Sequence, residues 1–258
     1  MKPVFPSALH QEIAEIVKKY FLRISNIDTV LAVNSCARGQ AIPDSDLDFA
    51  ILVSGGTTSE EIKVIEATWN NYSLSHPLIL HYKQSGPFAH LHLDLIDGNY
   101  TPTILEPGTG PDFLEIEIGN QLFYSAPLGN AGPYFQELQA KWLPYYNEEL
   151  RSQRFLMCKK ACLYYLNQIP FLLKRGLHFQ AFDNLYKAFQ QYLQTLFIAN
   201  KTYPIAYNKW IKEQITTWLN KPDIYPKLAS ILSISNIESD EIIYKVNLLQ
   251  QLLSDLDL

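Results

Sequence analysis

Asp46 and Asp48 are the residues of this 258-residue chain best placed to do chemistry. They open an apolar run, Phe49-Ala50-Ile51-Leu52-Val53, and close a polar turn entered from another apolar run, Thr29-Val30-Leu31-Ala32-Val33. The pattern predicts strand, turn, strand. Alternate residues of a strand share a face, so the two carboxylates point the same way. Such a pair repels, and a hard divalent cation relieves the repulsion; Mg²⁺ commonly takes one or two carboxylates together with substrate phosphates. The turn offers the complementary half, an anion site. Ser35 brings a hydroxyl, the backbone N–H groups of Ser35, Cys36 and Ala37 are candidates to face a phosphate, and Arg38 brings a fork of donors suited to its oxygens. An isolated Asp-x-Asp is common on solvated strand ends; joined to a serine–arginine–glycine turn between two strands it is far more specific.

The run resembles the signature of the nucleotidyltransferase superfamily, Gly-Ser-x-Ala-Arg-Gly followed by Ser-Asp-x-Asp, as in aminoglycoside nucleotidyltransferases and DNA polymerase beta-like enzymes. Ser35, Ala37, Arg38, Gly39, Ser45, Asp46 and Asp48 match it, and Asn34 stands where the pattern has glycine. Asparagine is among the few residues that tolerate left-handed backbone geometry in glycine's place. The resemblance implies AMP transfer from ATP to a hydroxyl of a small molecule such as an aminoglycoside-like antibiotic, with release of pyrophosphate. Two Mg²⁺ ions, roughly 3.5–4 Å apart, would clamp the displacement at phosphorus. Asp46 and Asp48 are the expected metal ligands, and the third carboxylate that the family places on a neighbouring strand is expected at Asp94. Ser35, Arg38 and Ser45 are assigned to the nucleotide. Glu117, with Glu115 as the alternative, is the candidate general base. Relatives of this kind are often dimers, so a homodimer is admitted. Two other readings compete: nucleotidylation of protein or RNA in a toxin–antitoxin-like system, and a non-catalytic nucleotide-binding protein.

The elements that must position these residues follow from periodicity. Ser7 reads as an N-cap, and Leu9, Ile13, Ile16, Val17, Tyr20 and Phe21 fall at helical spacing over 8–24. After the strands at 29–34 and 46–53, Gly55-Gly56 breaks the chain and a helix runs to Trp69. Residues 77–82 read as a strand, and 88–98 alternate, with Leu91, Leu93 and Leu95 on one face and His90, His92 and Asp94 on the other. His92 is placed to touch a phosphate or a metal-bound water. Residues 99–132 are rich in proline and glycine and hold a short alternating, strand-like run at 113–118. Beyond them strand patterns cease, and helices are expected at 134–141, 147–174, 178–200, 205–219, 222–233 and 238–256. The fold class is α+β: an N-terminal nucleotidyltransferase-like mixed sheet flanked by helices, followed by an all-α bundle. The domains are expected at 1–130 and 131–258. The bundle would bind substrate, with Tyr207, Lys209 and Trp210 placed to stack on or pair with nucleotide or acceptor.

Composition narrows the classes. A 47% apolar chain with 13% aromatic residues supports packed cores, and a net charge of −5 without long like-charge runs announces no basic face for duplex nucleic acid. Cys36, Cys158 and Cys162 lack framework spacing and point to a reducing compartment. Met1–Pro6 lacks the apolar core of a signal peptide and no window suits a membrane span, so the expectation is cytoplasmic.

Overall fold

Ser7 accepts a hydrogen bond from His10 N–H and starts helix α1 (Ala8–Phe21), whose buried stripe is His10, Ile13, Ala14, Val17 and Phe21. The structure, a computed structural model, describes residues 2–103 and 109–258. Residues 104–108 of the proline- and glycine-rich connection lie outside the described residues. Strands β1 (Ile27–Ala32) and β2 (Leu47–Val53) pair antiparallel, joined through a short helix, α2 (Asn34–Arg38). Helix α3 (Ser59–Ser75) opens on a capping box, in which Thr58 and Glu61 satisfy each other's backbone N–H. It is followed by α4 (Pro77–Gln84) and by β3 (Leu91–Ile96), which pairs parallel to β2. A parallel neighbour requires a crossover, and α3 and α4 provide it.

Residues 77–82 are therefore helix, where the apolar run suggested strand. Pro77 occupies the first turn, where its missing N–H costs nothing, and Ile79 and Tyr82 are the buried positions three residues apart. The run at 113–118 is likewise helical: α5 (Leu114–Ile118) continues into a π-helical turn, Gly119–Phe123. The two-residue strand β4 (Ala126–Pro127) pairs antiparallel with β1, so the mixed sheet has the order β3-β2-β1-β4. Helix α6 (Pro133–Trp142) follows. Val30, Ala32, Leu47, Phe49 and Ile51 on one sheet face pack with Ile13, Val17 and Phe21 of α1, Ile65 and Trp69 of α3, and Ile79 and Tyr82 of α4. Asp48, Ala50 and Leu52 have the opposite parity and project from the other face.

The chain forms two compact units: Met1–Tyr100 with Glu117–Leu143, and Thr101–Ile116 with Pro144–Leu258. The division thus falls at 143/144 rather than 130/131, and a segment ahead of α6 belongs to the second unit. That unit is built on α7 (Glu148–Lys174) and α8 (His178–Ala199), followed by α9 (Ile211–Glu213) with a π-helical turn at Gln214–Trp218, then α10 (Ile224–Ile231) and α11 (Glu241–Ser254). Its core joins Cys158, Cys162, Tyr165, Leu166 and Ile169 of α7 to Leu185, Tyr192, Leu196 and Phe197 of α8, with Leu249 and Leu253 of α11. The fold is α+β. Among the described residues no helix is long and apolar enough to cross a membrane.

Candidate active site

The turn between β1 and β2 carries the glycine-like geometry that the sequence pattern requires. Asn34 has φ +55°, in the left-handed region, and Gly39 closes α2 at φ +70°. Val33 N–H donates to Asp48 O at 3.1 Å and Gln40 N–H to Ser35 O at 2.9 Å, which fixes the turn against the start of β2. Ser35 Oγ is buried beside the Cys36 thiol, and Arg38 is half-buried with Nε and Nη1 covered. Burial first, then the negative charge of Asp48 and Asp46, pushes the Cys36 thiol up to about 12.

Asp46 precedes β2 and Asp48 is its second residue. In the parallel register Asp48 lies opposite His92 and Ala50 opposite Asp94. One ligand atom each from Asp46, Asp48 and His92 lies within 4.8 Å of the other two, with His92 Nε2 3.9 Å from Asp46 Oδ2. The structure brings His92 into this group. Asp94, exposed and one residue pair further along β3, is outside it. The donor set fits a divalent cation: two carboxylates and an exposed imidazole, with open positions for a substrate.

Behind this group is a layer of hydrogen bonds. Ser45 O accepts from His10 Nε2–H at 3.0 Å and from Tyr82 Oη–H at 3.2 Å. A carbonyl only accepts, so His10 carries its proton on Nε2, and Nδ1 accepts from the Ser7 hydroxyl at 2.7 Å. Leu47 N–H donates to His90 O at 2.9 Å, locking the same point of β2 to the entry of β3. His10 and Tyr82 are 3% and 1% exposed and meet edge to face, 5.3 Å between ring centroids. Neither was singled out from sequence. His10 was within reach, since it shares the stripe of Ile13, Ala14, Val17 and Phe21, where a polar residue needs a partner. Tyr82 was hidden because its segment read as strand.

The remaining expected residues are placed as follows. Ser45 Oγ accepts from Ile42 N–H at 2.9 Å, so its hydroxyl shapes the turn. Glu117 is exposed on α5. Glu115 is 0% exposed, bonded to Arg154 Nε at 2.8 Å and Nη2 at 2.7 Å and to Tyr146 Oη at 2.8 Å, as a structural anion of the second unit's interior. Lys209 is exposed in the α8–α9 connection, and Tyr207 is buried in the helical core instead of presenting its ring to a ligand.

No protein-family model and no curated protein matches the chain.

Proposed function

We propose that the chain is a divalent-metal-dependent nucleotidyltransferase that moves AMP from ATP onto a hydroxyl of a small-molecule acceptor. The observation that carries this reading is the meeting of the Ser35–Gly39 turn with the Asp46–Asp48 pair at one corner of the mixed sheet, the turn's backbone bonded to Asp48 O. The resemblance of these residues to the nucleotidyltransferase signature supplies the reaction. A Pα–O bond forms to the acceptor oxygen, the Pα–O bond to the β-phosphate breaks, pyrophosphate departs, and the hydroxyl proton passes to a base.

Asp46 and Asp48 would hold the cation, which when bound neutralises charge on the triphosphate. Ser35 and Arg38 would orient the β- and γ-phosphates, and the backbone of Ser45, fixed by His10 and Tyr82, would set the angle from which Asp46 projects. Glu117 is the candidate acceptor of the hydroxyl proton. Replacing it by Gln is expected to lower turnover and leave nucleotide affinity unchanged; unaltered turnover removes it from that role.

Radiolabelled ATP incubated with the protein, divalent metal and a cell extract tests the whole reading. Label is expected in small molecules, with pyrophosphate released. The Asp46→Asn and Asp48→Asn variants are expected to lose on the order of 100-fold or more, the scale seen when one charge-stabilising group is removed from an active site. Label in protein or RNA would change the acceptor class. ATP binding by calorimetry without any label transfer would reduce the protein to a nucleotide binder, and absence of both would end the proposal.

A further inference from the structure

We infer that His92 is a direct metal ligand and that its imidazole shifts the site from Mg²⁺ toward a first-row transition ion, with Mn²⁺ as the probe. This inference rests on the reading of the corner as a metal site. Three observations on two neighbouring strands support it. Asp46 and Asp48 come from the start of β2 and share a face. His92 comes from the neighbouring strand in parallel register with Asp48, so its side chain leaves the sheet on the same side. All three offer an atom within 4.8 Å of the other two, the span expected of ligands around one ion.

The ligand chemistry then decides the ion. Magnesium is hard, keeps its waters and is held through oxygen; imidazole nitrogen best suits the later ions of the first transition row, and Mn²⁺, the hardest of that row, still accepts it more readily than Mg²⁺ does. A purely carboxylate site binds both classes through the same kind of atom and discriminates weakly. A site of two carboxylates and one imidazole binds the transition ion through an additional favourable bond that Mg²⁺ uses poorly. Asp94, which would have supplied a third oxygen, stands opposite Ala50 outside the group. His90, whose ring centroid is 5.8 Å from that of His92, flanks the ligand without belonging to the set.

The test is metal binding by the intact protein without nucleotide. Free Mn²⁺ is followed by its electron paramagnetic resonance signal during titration, and Mg²⁺ is then added in competition. The wild-type protein is expected to bind Mn²⁺ and release it only at a large excess of Mg²⁺. His92→Ala is expected to weaken Mn²⁺ about tenfold or more and Mg²⁺ by less than threefold, so that the preference collapses; His92→Asp is expected to hold Mg²⁺ at least as tightly as the wild type while the preference stays low. Asp46→Asn is expected to weaken both ions. Equal Mn²⁺-to-Mg²⁺ ratios in wild type and His92→Ala would overturn the inference and leave His92 as a simple ion-pair partner of Asp46, as would failure of the wild type to bind Mn²⁺. The outcome is separable from that of the proposed activity. Transfer of AMP with no His92 effect on metal preference defeats this inference alone, whereas a His92-dependent preference with no transfer defeats the proposed reaction alone.

Discussion

The Ser45 carbonyl accepts from both His10 and Tyr82, so two residues distant in sequence fix the backbone one position before Asp46. Tyr82→Phe keeps the ring and deletes the hydroxyl. The expected cost is about 1 kcal/mol, a drop of a few degrees in melting temperature by calorimetry, together with weaker Mn²⁺ binding. Equal metal affinity would limit Tyr82 to a packing role. Asn34, at φ +55°, gives a second residue-scale prediction. Asn34→Gly is expected to be neutral or stabilising in thermal unfolding, while Asn34→Val should destabilise by about 1–2 kcal/mol, the cost of left-handed geometry for a residue with a bulky side chain. The sequence made both the carboxylate pair and the left-handed position visible, because each is a local property of residue type and spacing. His92 as a member of the group was not visible in the same way. It depends on which residue of β3 lies opposite Asp48, and parallel register is set by a crossover of more than thirty residues rather than by a turn.

Among the elements, the long ones were legible and the short ones were not. Helices α7 and α8 show their buried stripes over many turns, so their limits follow closely from apolar spacing. Residues 77–82 and 113–118 contain too few turns for a period to declare itself, and both apolar runs are compatible with either structure. Helix α6 shows a different kind of hidden dependence. Asp28, on β1, accepts from Tyr134 N–H and Phe135 N–H, both at 3.0 Å, and from the Thr29 hydroxyl at 2.7 Å, while Gly132 N–H donates to Thr29 Oγ1 at 2.9 Å. A carboxylate at a helix N-terminus satisfies open N–H groups and complements the helix dipole. Asp28→Ala is expected to cost about 1–2 kcal/mol and to lower amide protection selectively in the first turn of α6, read by hydrogen exchange. No sequence pattern relates Asp28 to residues more than a hundred positions later.

In the whole molecule, the second unit closes around a buried ionic cluster. Arg154, 2% exposed, donates through Nη1 and Nη2 to Asp112 at 2.7 and 2.6 Å and also pairs with Glu115, while Gln194 Nε2 donates to both carboxylates at 3.0 and 2.8 Å. Burial alone would raise the Asp112 carboxyl, but the Arg154 guanidinium, with Leu114 N–H and the Thr103 hydroxyl, outweighs it and holds the group below the ordinary carboxylate value. A carboxyl depressed in the folded state contributes stability that is present above its unfolded pKa and lost as pH falls through the folded one. Thermal stability is therefore expected to hold at neutral pH and to decline below about pH 4, near the unfolded value for aspartate. Arg154→Leu, which leaves Glu115 buried without its cation, should cost about 3–5 kcal/mol in chemical denaturation.

Asp112 lies 42 residues ahead of the guanidinium that neutralises it. As the chain leaves the ribosome, two acidic side chains, one bound for full burial and one for partial burial, emerge well before their cation, and they stay hydrated until α7 and α8 are complete. The first unit, for its part, has no α6 until the chain has left for the second and come back. A nascent chain halted between α6 and α7 thus holds every residue of the first unit together with segment 101–116, whose Asp112 and Glu115 still lack Arg154, and that segment should keep it a client for chaperones.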